Sequence, residues 1–482
     1  MMGQRMFHRK DIDPNNVVVA AGATSVLRLL VVALTEEGQG CLIPGPYFPG
    51  FDKVLNIAGV RAWVANRDLG DGRGGVEGGL DDGISPRVLE VALRRARSSR
   101  VEIRVLLITS PHNPTGRLYS SKALLGAVAW GRERGLHIIV DEVYANCIHR
   151  PNASFRSVGS LLAADGAEGM GRDVHVLYGL SKDLGVAGWR VGVLYSENKE
   201  VVAMVSKMVH TSQASADTMD LVGRLFREPG FLDEYFRQHQ EGLRLAYMSL
   251  LNQLGRRGIM HYQAEAGLFA MLDLREFLEN PSKEAEERLW RQILERTKVN
   301  LTPGGAFHCV EPGWFRLCFA YQQIDVVSRA VDRIASFLEA LVKERAAKTK
   351  ALEKQPQLQL QQGQEQRHLR QRWFGQASAS AAAACSSAAE VLSAAVARWV
   401  SFTAGRTSGQ EKEAEAAQRW PEQSRGNQTQ DARVKPDGAD LNAEEKTAGV
   451  SPGDHVGTTS LALEIPGSSH RLRRPVVDTV PW

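Results

Sequence analysis

Tyr178-Gly179-Leu180-Ser181-Lys182-Asp183-Leu184-Gly185-Val186-Ala187-Gly188-Trp189-Arg190-Val191-Gly192 is the stretch that decides how this chain is read. The apolar run 174–178 enters it as a strand. A lysine then stands at the strand's end, inside a glycine-rich turn, with an arginine eight positions later. A buried lysine gives up its proton cheaply and can form a Schiff base with an aldehyde. The glycines let the backbone approach a bulky ligand. Taken alone, a loop lysine is an ordinary surface group; its surroundings change the reading.

Strand-like and helical runs alternate on the amino-terminal side of this stretch. Val17-Val18-Val19-Ala20-Ala21 reads as a buried strand followed by a helical pattern over 25–34. Val105-Leu106-Leu107-Ile108-Thr109 is another strand, with a helical pattern over 121–131 after a turn, and then comes His137-Ile138-Ile139-Val140. Continuous β-rich runs alternating with helices predict a mostly parallel sheet covered on both faces. Such sheets carry their sites at the carboxyl ends of the strands.

The chemically informative residues stand just after those strands. Asp141 follows a wholly apolar run, where an unpaired carboxylate is costly. A pyridinium nitrogen would be a suitable partner and would stay protonated as an electron sink; a helix-capping aspartate is the plainer alternative. Tyr144, three residues on, could hydrogen-bond a phenolic oxygen. In Ser110-Pro111-His112-Asn113-Pro114-Thr115-Gly116, a stiff turn, Asn113 can donate to a ring oxygen or simply serve the turn. Ala21-Gly22-Ala23-Thr24-Ser25 joins a strand to a helix, whose N-terminus suits a phosphate. In Pro46-Tyr47-Phe48-Pro49-Gly50-Phe51 an aromatic could stack on a cofactor ring or pack in the core. Arg316 lies in an apolar strand, where it needs a carboxylate from a substrate or from a structural salt bridge. The glycine-rich residues 70–75 and the basic Arg94-Arg95-Ala96-Arg97 read as a surface loop and a solvated helix end.

Composition narrows the classes. The 482 residues carry 59 Lys plus Arg against 55 Asp plus Glu, a net charge of +4. That balance is too slight to imply nucleic acid or an anionic membrane as partner. No run approaches the ~18 apolar residues of a membrane span, and the basic start lacks the apolar core of a secretory signal. Five scattered cysteines without a C-x-x-C pattern argue against a disulfide scaffold or a metal site and suit a cytoplasmic, reducing compartment.

These segments together resemble the fold type I pyridoxal-phosphate enzymes, the class I/II aminotransferase superfamily, and within it most closely the 1-aminocyclopropane-1-carboxylate synthases and synthase-like proteins. The resemblance covers roughly residues 10–343. The ordered set Asn113, Asp141, Tyr144, Lys182, Arg190 and Arg316 carries it at superfamily level. Glu311-Pro312-Gly313-Trp314-Phe315-Arg316 points to the synthase branch. The resemblance implies an α/β fold in which a large cofactor domain with a mostly parallel sheet precedes a smaller α+β domain. It implies that Lys182 holds pyridoxal 5'-phosphate covalently and shuttles the substrate α-proton. Asp141 would pair with the pyridine nitrogen, and Tyr144 and Asn113 would bond the ring hydroxyl. Ala23, Thr24, Ser181 and Arg190 would hold the phosphate, Phe48 would stack on the ring, and Arg316 would clamp the substrate carboxylate. The reaction implied is elimination from S-adenosylmethionine, or else transfer of an amino group from an amino acid to a 2-oxo acid, in a homodimer. The third reading is a truncated, non-catalytic remnant.

Departures from the family pattern are as informative. Gly179 stands where a phosphate-binding serine is usual, and Phe48 where the synthases carry tyrosine. Asn113-Pro114-Thr115-Gly116 has the form of a general aminotransferase. The family has some tens of residues ahead of the phosphate loop, supplying an arm that crosses to the partner subunit. This chain starts about twenty residues before Ala23, and a truncated gene model is expected over a short protein. The expected domains are residues 1–241 (cofactor), 242–343 (small) and 344–482. The last is glutamine-, alanine- and serine-rich and lacks the aliphatics for a core, which predicts a disordered tail with a transient helix over 388–400.

Overall fold

The structure, a computed structural model, describes residues 12–66, 83–166 and 169–403. Its first seven strands are β1 (Val17–Ala21), β2 (Gly40–Pro44), β3 (Arg61–Ala65), β4 (Ile103–Thr109), β5 (His137–Asp141), β6 (Val174–Gly179) and β7 (Val191–Ser196). They form one sheet in the order β1-β7-β6-β5-β4-β2-β3. All run parallel except β7, which runs against β1 and β6. The expected strands and the helical runs 25–34 and 121–131 fall within these elements and within the helices α1 and α4. The helices are α1 (Ala23–Leu34), α2 (Gly50–Ile57), α3 (Pro86–Ser98), α4 (Ser121–Glu133), α5 (Val158–Ala164), α6 (Leu180–Asp183), α7 (Lys199–Met208), α8 (Ala216–Arg227), α9 (Phe231–Arg256), α10 (Lys283–Thr297) and α11 (Ile324–Thr403).

Both faces of the sheet are covered, which is why its central strands are apolar without alternation. Leu106 and Ile108 of β4 pack with Leu89, Leu93, Leu124, Val128 and Leu161 of α3, α4 and α5. Val105 and Leu107, pointing the other way, pack with Leu27, Leu30, Phe51 and Val205 of α1, α2 and α7. A second, four-stranded antiparallel sheet has the order β10-β11-β9-β8, made of β8 (Met260–Tyr262), β9 (Phe269–Asp273), β10 (Thr302–Pro303) and β11 (Trp314–Cys318). Its core is Leu272, Phe315 and Leu317 against Leu250, Leu254, Leu289, Ile293, Ile334 and Leu338. The change of core falls inside α9: Leu232 and Phe236 belong to the first, Leu243 and Tyr247 to the second. Gly242, where a small domain was expected to begin, lies within that helix, so no loop marks the change.

α11 departs from expectation. Residues from 344 were expected to be disordered, yet the helix runs on to Thr403. The reason is physical. Residues 344–403 are rich in Ala, Gln, Glu, Lys and Arg, which favour helix without needing a core. Low aliphatic content predicts absence of burial, not absence of helix. Leu341 is the last buried residue, and none of the described side chains beyond it is buried. Residues from Ala381 group as a second unit. The glycine-rich residues 70–75 and the chain after Thr403 lie outside the described residues. Among the described residues, no helix is long and apolar enough to cross a membrane. Ending the chain after Lys350 keeps the last polar contacts to the lobe among the described residues, Arg345 Nη1 to the Phe277 carbonyl at 2.8 Å and Glu344 to Arg296 at 3.2 Å. That shortened chain is expected to melt within about 2 °C of the full one by calorimetry, a shift of a fraction of a kcal/mol to 1 kcal/mol. A drop beyond about 5 °C would show that the later helix docks.

Candidate active site

Strands β1, β2, β4, β5 and β6 end, and β7 begins, at one edge of the large sheet. The register makes this explicit: Thr109 pairs with Asp141, Asp141 with Leu177, Gly179 with Gly192, and Val191 with Ala21. The segments carrying Asn113, Asp141, Tyr144, Lys182, Arg190, Ala23 and Phe48 therefore converge on that edge although they span much of the sequence.

Asp141 is the last residue of β5 and is buried. Among the described residues its carboxylate accepts one hydrogen bond, from the Val143 N–H at 3.3 Å. Burial pushes its carboxyl up to about 7, with that hydrogen bond and the Lys182 charge opposing. A buried carboxylate so lightly satisfied is suited to a cationic partner. Lys182 sits in the single turn α6. Among the described residues its ammonium makes no hydrogen bond or ion pair. Burial lowers its pKa, and the Arg316 and Arg190 charges push the same way. Both effects favour the neutral amine that a nucleophilic lysine requires.

Asp183, to which the sequence reading gave no role, fixes α6 from behind. Fully buried, it accepts from Tyr178 Oη at 2.6 Å, Asn146 N at 3.0 Å, Asn146 Nδ2 at 2.9 Å and Cys147 Sγ at 3.2 Å. It thereby ties the Lys182 turn to the segment just after Asp141 and Tyr144. Its position beside Lys182 is the only sequence signal; three of its four donors come from Asn146 and Cys147 in a distant turn.

The phosphate-type cradle lies at the start of α1. The N-cap is Gly22, with φ 89°, no side chain caps the helix, and its first turn holds no acidic residue. A Cβ at Gly22 would come within 2.7 Å of Arg190 Cζ, so the glycine makes room for the guanidinium. Arg190 has a left-handed backbone, φ 52°, and among the described residues makes only long bonds, 3.4 Å each, to the Ala187 and Ala21 carbonyls. The hydroxyls of Thr24 and Ser181 have no protein partner among the described residues. A helix N-terminus, two available hydroxyls and an arginine without a carboxylate are a donor set fit for a phosphate. Gly179 is extended, and a Cβ there would meet Val191 O at 3.2 Å and Ala23 Cβ at 3.4 Å.

Arg316 reaches this edge from β11. Its Nη1 donates to Asn113 Oδ1 at 2.8 Å, while its buried Nε has no partner. The rings of Phe269 and Phe307 flank it, with centroids 4.9 and 4.6 Å from Cζ. Burial lowers its pKa; a guanidinium still stays charged. This is a desolvated cation with donors to spare. Tyr144 is buried, edge-on to Phe269 at 5.4 Å. Burial raises its pKa, with Arg316 opposing, so its hydroxyl remains a donor. Phe48 is half-buried, edge-on to Phe51 at 5.6 Å. The flanking role of Phe269 had no signal in the sequence.

A family model described as "Aminotransferase class I and II" matches residues 2–334. The chain is 35% identical over 333 residues to 1-aminocyclopropane-1-carboxylate synthase 6 of Arabidopsis thaliana, covering 69% of this chain and 65% of that protein. It is 32% identical over 339 residues to 1-aminocyclopropane-1-carboxylate synthase of Glycine max, covering 70% and 68%. It thus spans about two thirds of the length of these relatives. Among solved structures, an aspartate aminotransferase of Thermotoga maritima superposes with a TM-score of 0.55 at 26% identity, covering 70% of this chain and 79% of that one. A Thermus thermophilus aspartate aminotransferase mutant gives 0.57 at 19% identity, covering 70% and 83%, and shows the shared fold.

Proposed function

Because the chain belongs to the class I and II aminotransferase family, a family of pyridoxal-phosphate enzymes, we propose that it acts on an amino acid as a 1-aminocyclopropane-1-carboxylate synthase-like enzyme. The observation that carries the proposal is Lys182, half-buried and, among the described residues, without a hydrogen bond or ion pair, at the same sheet edge as the buried Asp141 and as Arg190, which meets no carboxylate among those residues. Pyridoxal phosphate, when bound, supplies an electron sink for charge developing at the substrate α-carbon. Asp141 would hold the pyridine nitrogen, and Asn113 Nδ2 and the Tyr144 hydroxyl would donate to the ring oxygen. The start of α1 at Ala23 and Thr24, with Ser181 and Arg190, would hold the phosphate, and Phe48 would lie against the ring. Lys182 would hold the group covalently and would move the proton at the substrate α-carbon. Arg316, with Nε unsatisfied, orients the substrate through its carboxylate. The proposal includes a homodimer. The cofactor lobe is taken as residues 1–241 and the substrate-clamping lobe as 242–343, with residues 344–482 outside both.

The deciding experiment offers the loaded chain S-adenosylmethionine and, separately, common amino acids with a 2-oxo acid. Methylthioadenosine as product supports the synthase reading. Amino transfer without it replaces that reading by an aminotransferase. If neither reaction occurs although cofactor is attached, the catalytic proposal fails.

Two smaller effects follow. Arg316→Lys keeps the charge but loses the planar fork, so KM for the amino-acid substrate should rise ~10–100-fold, about 1.4–2.7 kcal/mol, with cofactor affinity unchanged. Steady-state kinetics and a cofactor titration check both halves. Gly179→Ser adds a hydroxyl beside the cradle, with its neighbours giving by a few tenths of an ångström. Cofactor binding should tighten about tenfold, the worth of one charge-assisted hydrogen bond, read by equilibrium titration. An unchanged Kd would mean that the α1 terminus and Arg190 already suffice.

A further inference from the structure

A polar cluster outside the cofactor set joins the two lobes. Asp52, in the first turn of α2, accepts from Tyr47 Oη at 2.6 Å through one oxygen. Its other oxygen meets Nε2 of His308 at 2.8 Å. Tyr47 is buried and its ring lies on the His308 ring, centroids 4.4 Å apart and 25° from parallel. The Tyr47 N–H also donates to the Phe307 carbonyl at 2.9 Å. Burial, and next the hydrogen bond to Asp52, raise the Tyr47 pKa, which keeps its hydroxyl a donor. A carboxylate selects the imidazole form that carries a proton on Nε2. His308 holds a left-handed backbone, φ 62°, at the end of the short turn Gly304–Phe307. The neighbour of His308 is Phe307, fully buried with its ring on Arg316. Asp52 therefore links the turn that carries Phe48 on one lobe to the turn that carries Phe307 on the other.

We infer that Asp52 and His308 are positioning residues, a bridge between the lobes that seats Phe307 against Arg316 and thereby sets the grip on the substrate carboxylate. The inference rests on the reading of Arg316 as the carboxylate clamp. Neither residue touches the reacting atoms. Three contacts converge on one short turn: a charge-assisted hydrogen bond, a ring stack and a backbone hydrogen bond. The fork of Arg316 is useful only if its plane is held, and Phe307 covers one side of it. Loss of the bridge lets the turn relax, uncovers the guanidinium and blurs the spacing between the Phe48 turn and the clamp.

The test reads Arg316 directly. The full chain loaded with pyridoxal phosphate is treated with phenylglyoxal, and adduct formation at Arg316 is timed by peptide mass spectrometry. Wild type, His308→Ala, His308→Gln and Tyr47→Phe are compared. His308→Ala should raise the rate at Arg316 fivefold or more, and Tyr47→Phe by a smaller factor. His308→Gln, whose amide can still donate to Asp52, should stay within twofold of wild type. This rescue distinguishes positioning from general loosening, which would raise the rates at other arginines too. The half-saturating S-adenosylmethionine concentration should follow the same order, with kcat changed less than KM. Equal Arg316 rates in His308→Ala and wild type would overturn the inference, as would failure of glutamine to rescue. Should His308→Ala fold poorly, Tyr47→Phe against wild type decides alone. Borohydride trapping at Lys182 is run in parallel on wild type. Its failure overturns the cofactor reading, while the phenylglyoxal rates still decide the bridge.

Discussion

Lys182→Ala is expected to abolish the covalent adduct that borohydride fixes between pyridoxal phosphate and the chain, and to reduce turnover to background. Loss of the proton shuttle alone costs ~10²–10⁴-fold, and loss of the attachment point adds to it. The substitution should leave the fold intact. Among the described residues Lys182 has no hydrogen bond to lose, and Asp183 keeps the donors that anchor α6. Burial already disfavours the ammonium, so removing it relieves a cost. Peptide mapping after reduction is the check. In wild type the label must fall on Lys182, and a label on another lysine overturns the assignment. Lys182→Arg serves as a control, because it restores a charge without a nucleophilic amine.

Asp141→Asn should produce two effects of opposite sign. In the cofactor-free chain burial raises the Asp141 carboxyl to about 7, above its value in an unfolded chain. The folded state then binds more protons than the unfolded state between about pH 4 and 7. Stability from this group is complete below that window and is lost as pH rises through it, by ~1.4 kcal/mol for each pH unit crossed. The adjacent Glu142, raised to about 8 by burial, acts in the same direction. Without cofactor, Asp141→Asn should therefore melt at higher temperature than wild type at pH 8, with the difference shrinking toward pH 4. With cofactor the order reverses, because asparagine cannot pair with a pyridinium. Breaking a buried charge pair costs roughly 3–5 kcal/mol, so cofactor affinity or turnover should fall by two orders of magnitude or more. Melting curves at pH 5 and 8, with and without pyridoxal phosphate, check the reversal. If asparagine does not weaken the loaded protein, Asp141 is not the nitrogen's partner.

The two halves of the site differed in how legible they were. Asp141, Lys182 and Arg190 could be picked out because each follows or flanks an unbroken apolar strand, where a charged group is too costly to be incidental. Arg316 was visible for the same reason. Asp183 carries no local signal, because a single acidic residue beside a lysine looks like charge balance. Its four donors come from Tyr178, Asn146 and Cys147, and only folding brings them to it. Asp52 and His308 lie just outside the segments 46–51 and 311–316, and nothing in either neighbourhood indicates the other. Phe269 was indistinguishable from any core aromatic. The helical course of α11 does not follow from low aliphatic content: that content governs burial, while helix depends on backbone propensity, and the two part company in an alanine- and glutamine-rich stretch.

Local sequence by itself determined the strands, the helices that follow them and the placing of reactive side chains at strand ends. These depend on backbone propensity and on the cost of burying charge, which act over a few residues. It did not determine that β7 runs against its neighbours, so that Arg190 enters the edge where Lys182 leaves it. Nor did it determine that Arg316, 203 residues from Asn113, would lie 2.8 Å from it between two phenyl rings. Strand order and the meeting of two lobes are settled by which apolar faces can cover one another, a property of the whole packed chain that no single segment carries.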